Sequence, residues 1–159
     1  MRSVGEALHF LELDVGGQRF ALPEESVLRV VRSVAIVPLP NAPAVISGVI
    51  RYEGEAIPVM DLRTRLFGGA REINLSDHFV IARRENEKSL ALHTDRALEL
   101  LSLPESVVTE ATKGDRAVSG MITIDDGLIL VLDVERFLTH SEGLRTDEAL
   151  TSFMRETSA

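Results

Sequence analysis

Cysteine is absent from the 159-residue chain, which removes disulfide staples, thiol nucleophiles and thiolate metal sites together. Tryptophan is absent as well, tyrosine occurs once, and aromatic residues make up 4% of the chain. A stacking platform for bases or sugars therefore has little to be built from. Positive charge is the third shortage: 17 Lys and Arg against 25 Asp and Glu leave a formal net charge of -8. That balance repels a phosphate backbone, so no nucleic acid partner is expected, and it favours solubility or a basic partner surface. No uninterrupted apolar run of membrane-spanning length occurs, and the opening Met1-Arg2-Ser3-Val4-Gly5-Glu6 has no apolar signal region. The expectation is a soluble cytoplasmic protein with no direct membrane insertion.

Catalytic signatures are missing too. The four histidines (His9, His78, His93, His140) form no i, i+4 pair and no His-Glu-x-x-His motif, so no metal site is expected. His93 replaces an apolar residue inside a strand pattern and fits a hydrogen-bonded core histidine. No Gly-x-Ser-x-Gly elbow occurs, and Gly16-Gly17 and Gly68-Gly69 do not extend into phosphate-binding loops. No cofactor and no enzymatic activity are expected.

What is present is an ordinary globular composition, 45% apolar and 26% charged, organised around Ser47 to Leu62. Val49 to Tyr52 reads as a strand, Glu53-Gly54 as a tight turn, and Ala56 to Met60 as the return strand. Pro58 donates no ladder hydrogen bond, which places that strand at a sheet edge or bulge. Asp61 stands where an N-cap belongs, before a short helix at Leu62 to Phe67 closed by Gly68-Gly69. The pattern recurs from Ser119-Gly120 to Asp133 with the same Ser-to-Asp spacing, and Ala21 to Val31 is echoed more weakly by Asp95 to Leu101. Two structurally similar halves follow.

Taken in order, residues 1–7 form a lead-in and 8–140 a single domain, with subdomains at about 8–72 and 73–140. A tail at 141–159 is helical in part, with Leu150, Phe153 and Met154 on one face behind an acidic start at Thr146-Asp147-Glu148, packed on the body or on a partner. Gly16-Gly17 turns a first hairpin. Pro38, Pro40 and Pro43 make a stiff irregular loop, and Ala70 to Asp77 is the expected boundary between halves. Short strands with few helices indicate an all-β fold of small closed or partly closed barrels. Asp61 and Asp133, brought together by pseudo-symmetry, would be candidates for a proton-sharing dyad in a small-ligand or hydrolytic barrel; helix capping explains both without chemistry.

Pro40 to Ile50 followed by Gly54 to Leu62, with Phe20-Ala21-Leu22-Pro23, Val27, Val30 and Asp95 to Leu101 in support, resembles the CheW-like family of chemosensory adaptor domains. The resemblance covers about Phe10 to Leu138. It implies two five-stranded SH3-like barrels meeting at an apolar junction, with a short C-terminal helix added here. It also implies a non-enzymatic adaptor in bacterial chemotaxis, a two-component signal-transduction system. Such an adaptor couples the cytoplasmic tips of methyl-accepting chemoreceptors to the regulatory domain of a CheA-type histidine kinase, recruited to membrane-associated arrays. Carried onto this chain, the receptor-facing groove comprises Leu11, Val27, Arg29, Val30, Gly48, Arg51, Glu53, Ala97 and Leu100; kinase contact uses exposed barrel edges. One departure stands out. The family turn Asn-Leu-Arg-Gly is here Arg51-Tyr52-Glu53-Gly54, a charge reversal at a position facing the receptor, with Arg51 two residues away on the same strand parity. An adaptor of a motility or developmental pathway with a changed or absent receptor is the alternative.

Overall fold

The computed structural model describes residues 7–69, 74, 76–84, 88–110, 117–125 and 127–157. Residues 1–6 of the lead-in, most of the connector at 70–77, the charged turn at 85–87 and the polar loop at 111–116 lie outside the described residues. The elements are β1 (Ala7–Val15), β2 (Gln18–Pro23), β3 (Val27–Arg32), β4 (Ile46–Tyr52), β5 (Glu55–Asp61), α1 (Leu62–Phe67), β6 (His78–Arg83), β7 (Ser89–Thr94), β8 (Arg96–Pro104), β9 (Val108–Glu110), β10 (Val118–Ile124), β11 (Gly127–Leu132) and α2 (His140–Thr157). Single 3-10 turns at Glu24–Ser26, Glu105–Val107 and Val134–Arg136 join neighbouring elements.

The strands form two sheets, ordered β3-β6-β7-β5-β4 and β8-β1-β2-β11-β10-β9. This corrects the division at about residue 72. The N-terminal hairpin β1–β2 belongs with β8–β11, while β6–β7 completes the sheet begun by β3–β5. Each sequence half thus lends its first hairpin to the other half's sheet. Hairpin patterning cannot reveal this, because a hairpin reads the same whichever sheet receives it.

The repeat itself is reproduced pair for pair. In β4–β5, Gly48 opposes Val59 and Ile50 opposes Ile57; in β10–β11, Gly120 opposes Val131 and Ile122 opposes Ile129, with the same register shift ahead of each glycine. Beside them runs one further segment. In the second half it is β9, where Thr109 opposes Met121; in the first it shrinks to the single bridge Val37–Val49. Pro38, Pro40 and Pro43 remove the donors that would extend it. Hence one sheet has six strands, where five were expected, and the other has five.

Two further expectations are corrected. β5 is no edge strand: it lies between β4 and β7, and Pro58 sits buried just before the parallel pairing with β7 begins at Val59, so its missing N–H interrupts no ladder. The terminal helix starts at His140, before the acidic run at Thr146. Thr139 and Glu142 form a reciprocal capping box there, Glu142 N–H to Thr139 Oγ1 at 3.0 Å and Thr139 N–H to Glu142 Oε1 at 2.8 Å.

Each sheet has its own apolar interior, Ile50, Ile57, Val59, Phe79 and Ile81 in one, Phe10, Ala21, Ile122, Ile129 and Val131 in the other. A larger cluster joins them: Leu11, Leu13, Phe20 and Leu22 of one sheet pack with Met60, Val80, Leu90 and Leu92 of the other, with Ala149 of α2 at the margin. This is the apolar junction. Asp95, where the chain crosses between sheets, ties it at the surface. Its carboxylate accepts from the Gly16 N–H at 3.0 Å and from Arg63 Nη2 of α1 at 2.6 Å.

Candidate partner-binding surface

β3 and β8 are each an edge strand of their sheet. They are also the same strand of the repeat, since Val27, Leu28, Arg29 and Val30 correspond to Ala97, Leu98, Glu99 and Leu100. Both carry apolar side chains that the fold leaves uncovered: Leu28 and Val30 on β3, and Leu98 and Leu100 on β8, the last 63% exposed. Between them the floor is apolar. Leu11 is buried in β1 opposite Leu100, and Val27 and Ala97 pack half-buried against the same cluster as Leu11. The Ala97 N–H donates to His78 Nδ1 at 2.9 Å, joining β8 to the other sheet. Exposed apolar groups at sheet edges, unpaired in the backbone and rimmed by charge, are what a docking surface needs.

The charged rim differs from the expectation. Glu53 lies in a turn with positive φ (48°), followed by Gly54 at φ 82°, the type I′ geometry of a two-residue hairpin. Strand parity is therefore broken there, and Arg51 does not stand beside it as a continuous strand would place it. Arg29 of β3 does: Arg29 Nη1 lies 4.0 Å from Glu53 Oε1, both side chains well exposed. Glu53 thus screens Arg29, a cation on the exposed edge of β3.

Gly48 is set apart from the other expected residues. It is buried, and a Cβ there would collide with the Val37 carbonyl and the Ile36 side chain. It admits the crossing segment to β4 and presents no surface. Leu28 and Leu98 were missed; the weak echo between Ala21–Val31 and Asp95–Leu101 was the signal that could have placed them on matching edges.

Neither aspartate of the supposed dyad is free. Asp61 is buried and accepts from the Arg63 N–H at 3.0 Å and Thr64 Oγ1 at 3.1 Å, while Gly68, in the left-handed region, closes α1. Asp133 accepts from the Glu135 N–H at 2.9 Å and pairs with Arg136, capping a 3-10 turn where a short helix was expected. They terminate strands of different sheets. His93 is buried, with Nε2 2.8 Å from Asp77 Oδ2 and its ring edge-on to Phe79. Among the described residues no three His, Asp or Glu side chains converge as metal ligands, and no helix is long and apolar enough to cross a membrane.

A family model described as the CheW-like domain matches residues 9–142. The chain belongs to the CheW-like family. It is 24% identical to the chemotaxis protein CheW of Helicobacter pylori over 84% of this chain and 82% of that protein. It is 23% identical to CheW of Thermotoga maritima over 87% and 94%. A shorter, stronger likeness, 41% over 68 residues, is to protein FrzA of Myxococcus xanthus, covering 35% of this chain and 42% of FrzA. Among solved structures, the scaffolding protein TtCheW of Thermoanaerobacter tengcongensis superposes with a TM-score of 0.77 at 23% identity, covering 86% of this chain and 95% of its own. The two-subdomain SH3-like architecture is thus that of the family.

Proposed function

We propose that this CheW-like chain is a non-enzymatic adaptor that couples chemoreceptors to a CheA-type histidine kinase. The observation that carries the reading is the pair of matched edge strands, β3 and β8, exposing Leu28, Val30, Leu98 and Leu100 over the floor of Leu11, Val27 and Ala97. A helical receptor tip would lie along this strip, and the regulatory domain of the kinase would meet exposed sheet edges elsewhere. Holding both partners on one rigid body, welded by the shared core and Asp95, lets a receptor shift alter the kinase's geometry. The protein would work in the cytoplasm, recruited to membrane-associated arrays by its receptors.

A second reading keeps the role and changes the receptor. Glu53 offsets the charge of Arg29 on the rim, and a short stretch of the chain is 41% identical to a relative not named CheW; both favour an adaptor of another pathway, such as motility or development. Glu53→Arg separates the two. If a standard chemoreceptor tip is the partner, the variant binds it severalfold more tightly while kinase affinity is unchanged, since rim charges act mainly on their own partner. Unchanged receptor affinity would contradict the role given to this turn. The remote alternative, a hydrolytic or small-ligand barrel using Asp61 and Asp133, has both carboxylates already committed to caps.

A further inference from the structure

The repeat makes the two outward hairpin faces directly comparable, and they are treated differently. On β4–β5 the face carrying Ile46, Val49, Ala56 and Met60 packs into the cluster that includes Leu150 and Phe153 of α2, and Val49 is 3% exposed. On β10–β11 the corresponding residues are Val118, Met121, Leu128 and Leu132. The inner pair, Val118 and Leu132, joins the same cluster. The outer pair does not: Met121 is 37% and Leu128 44% exposed. One helix serves two equivalent faces, and among the described residues nothing covers the outer part of the second.

Charge says what would cover it. α2 docks through acids, Glu142 to Arg65 at 2.7 Å and Asp147 to Lys88 at 2.7 Å. The β10–β11 hairpin, residues 118–132, contains no Lys or Arg, and Asp125 stands exposed at its turn. An acidic helix such as the α2 of a second copy would meet like charge there. We infer that the outer face of β10–β11 is a docking site for an amphipathic helix of a different protein, one whose apolar stripe is flanked by Lys or Arg. This site is distinct from the β3–β8 strip, and it does not depend on the receptor and kinase reading.

The test uses the full chain with labelled methionine methyls, since Met121 reports on the bare face and Met154 on α2. The probe is a synthetic peptide of residues 140–157 carrying Glu142→Lys, Asp147→Lys and Glu148→Lys, with the unaltered peptide as control. The expected result is a saturable shift of the Met121 methyl with Met154 unmoved, and at least about tenfold weaker binding of the control. Leu128→Ser, a neutral change at an exposed site, should weaken the basic peptide by about tenfold, the worth of one buried leucine. Thr123→Lys should weaken it through charge while leaving the core untouched. The inference is overturned by no saturable Met121 shift up to about 1 mM peptide. It is equally overturned by a shift of Met154 alone, which would mean displacement of α2, by equal binding of the acidic control, or by a Leu128→Ser variant that binds unchanged.

Discussion

Gly48 and Gly120 occupy the same place in the repeat because a neighbouring strand crosses each of them. A Cβ at Gly120 would lie 2.8 Å from the Thr109 carbonyl, and one at Gly48 would press still closer on Val37. Alanine at either site forces the crossing strand away, at a cost of about 1–3 kcal/mol, larger at Gly48; denaturant unfolding midpoints check both the size and the order. Asp61→Ala removes a buried cap with two acceptor bonds and should cost about 1–2 kcal/mol. Asp133→Ala, half-buried at a 3-10 turn, should cost less. Loss of stability with partner binding intact identifies both as caps. Loss of a measurable turnover in a protein as stable as the parent would revive the dyad.

Glu142 adds a pH dependence. Burial alone would raise its pKa, but the Thr139 N–H and the Arg65 guanidinium outweigh it and hold the carboxyl below its usual 4.5. A carboxyl depressed in the folded state stabilises above its unfolded pKa and loses that contribution as pH falls through the folded value. The stability difference between the parent and Glu142→Gln should therefore be constant above pH 4.5 and shrink below it. A difference that grows on acidification would reverse the assigned sign.

At the scale of elements, α2 is held by one inner and one outer ion pair, and they should differ. Arg65–Glu142 is mostly screened from water, with side chains 14% and 22% exposed, whereas Lys88–Asp147 is 54% and 36% exposed. Arg65 also keeps a buried Nε with no acceptor, so removing Glu142 strands its charge. Glu142→Ala should cost about 2–3 kcal/mol and Asp147→Ala under about 1 kcal/mol, measured by thermal unfolding with Arg65→Met as the second arm of a double-mutant cycle.

The hairpins, the caps and the repeat could be read from the chain because each depends on residues close in sequence: Gly-Gly and Glu-Gly turns, Asp before a helix, Ser-Gly before a bulge. Three features could not be read that way. Pro58 suggested an edge or a bulge because proline cannot donate; the edge is wrong, since a strand inside a sheet tolerates it where the second neighbour has not yet begun to pair, while the β4–β5 ladder does shift register beside it. The start of α2 was placed too late because Thr139 and Glu142 precede the apolar stripe that drew attention. Of the residues placed in the groove by resemblance, Leu11, Val27, Val30, Ala97 and Leu100 lie on or beside the two edge strands, whereas Gly48 lies buried under Val37 and Glu53 stands beside Arg29 of another strand. Such cross-strand neighbours depend on sheet order, which is a long-range property.

For the whole molecule, the exchange of hairpins between halves is the central structural consequence. Neither half of the sequence contains a complete sheet, and the shared cluster draws on both. Fragments 1–72 and 73–159 should each be largely unfolded alone by circular dichroism and should regain β structure on mixing, while the intact chain unfolds in one cooperative transition. A stable, folded 1–72 fragment would contradict the exchanged topology.

The adaptor role is tested most directly by calorimetric titration of the full chain with the regulatory domain of each CheA-type kinase from its own organism. Saturable binding to one of them is predicted, and it should persist in Glu53→Arg, because the altered rim belongs to the receptor strip. Silence against every such domain, with the chain demonstrably folded, would contradict the account and leave a CheW-like fold serving other partners.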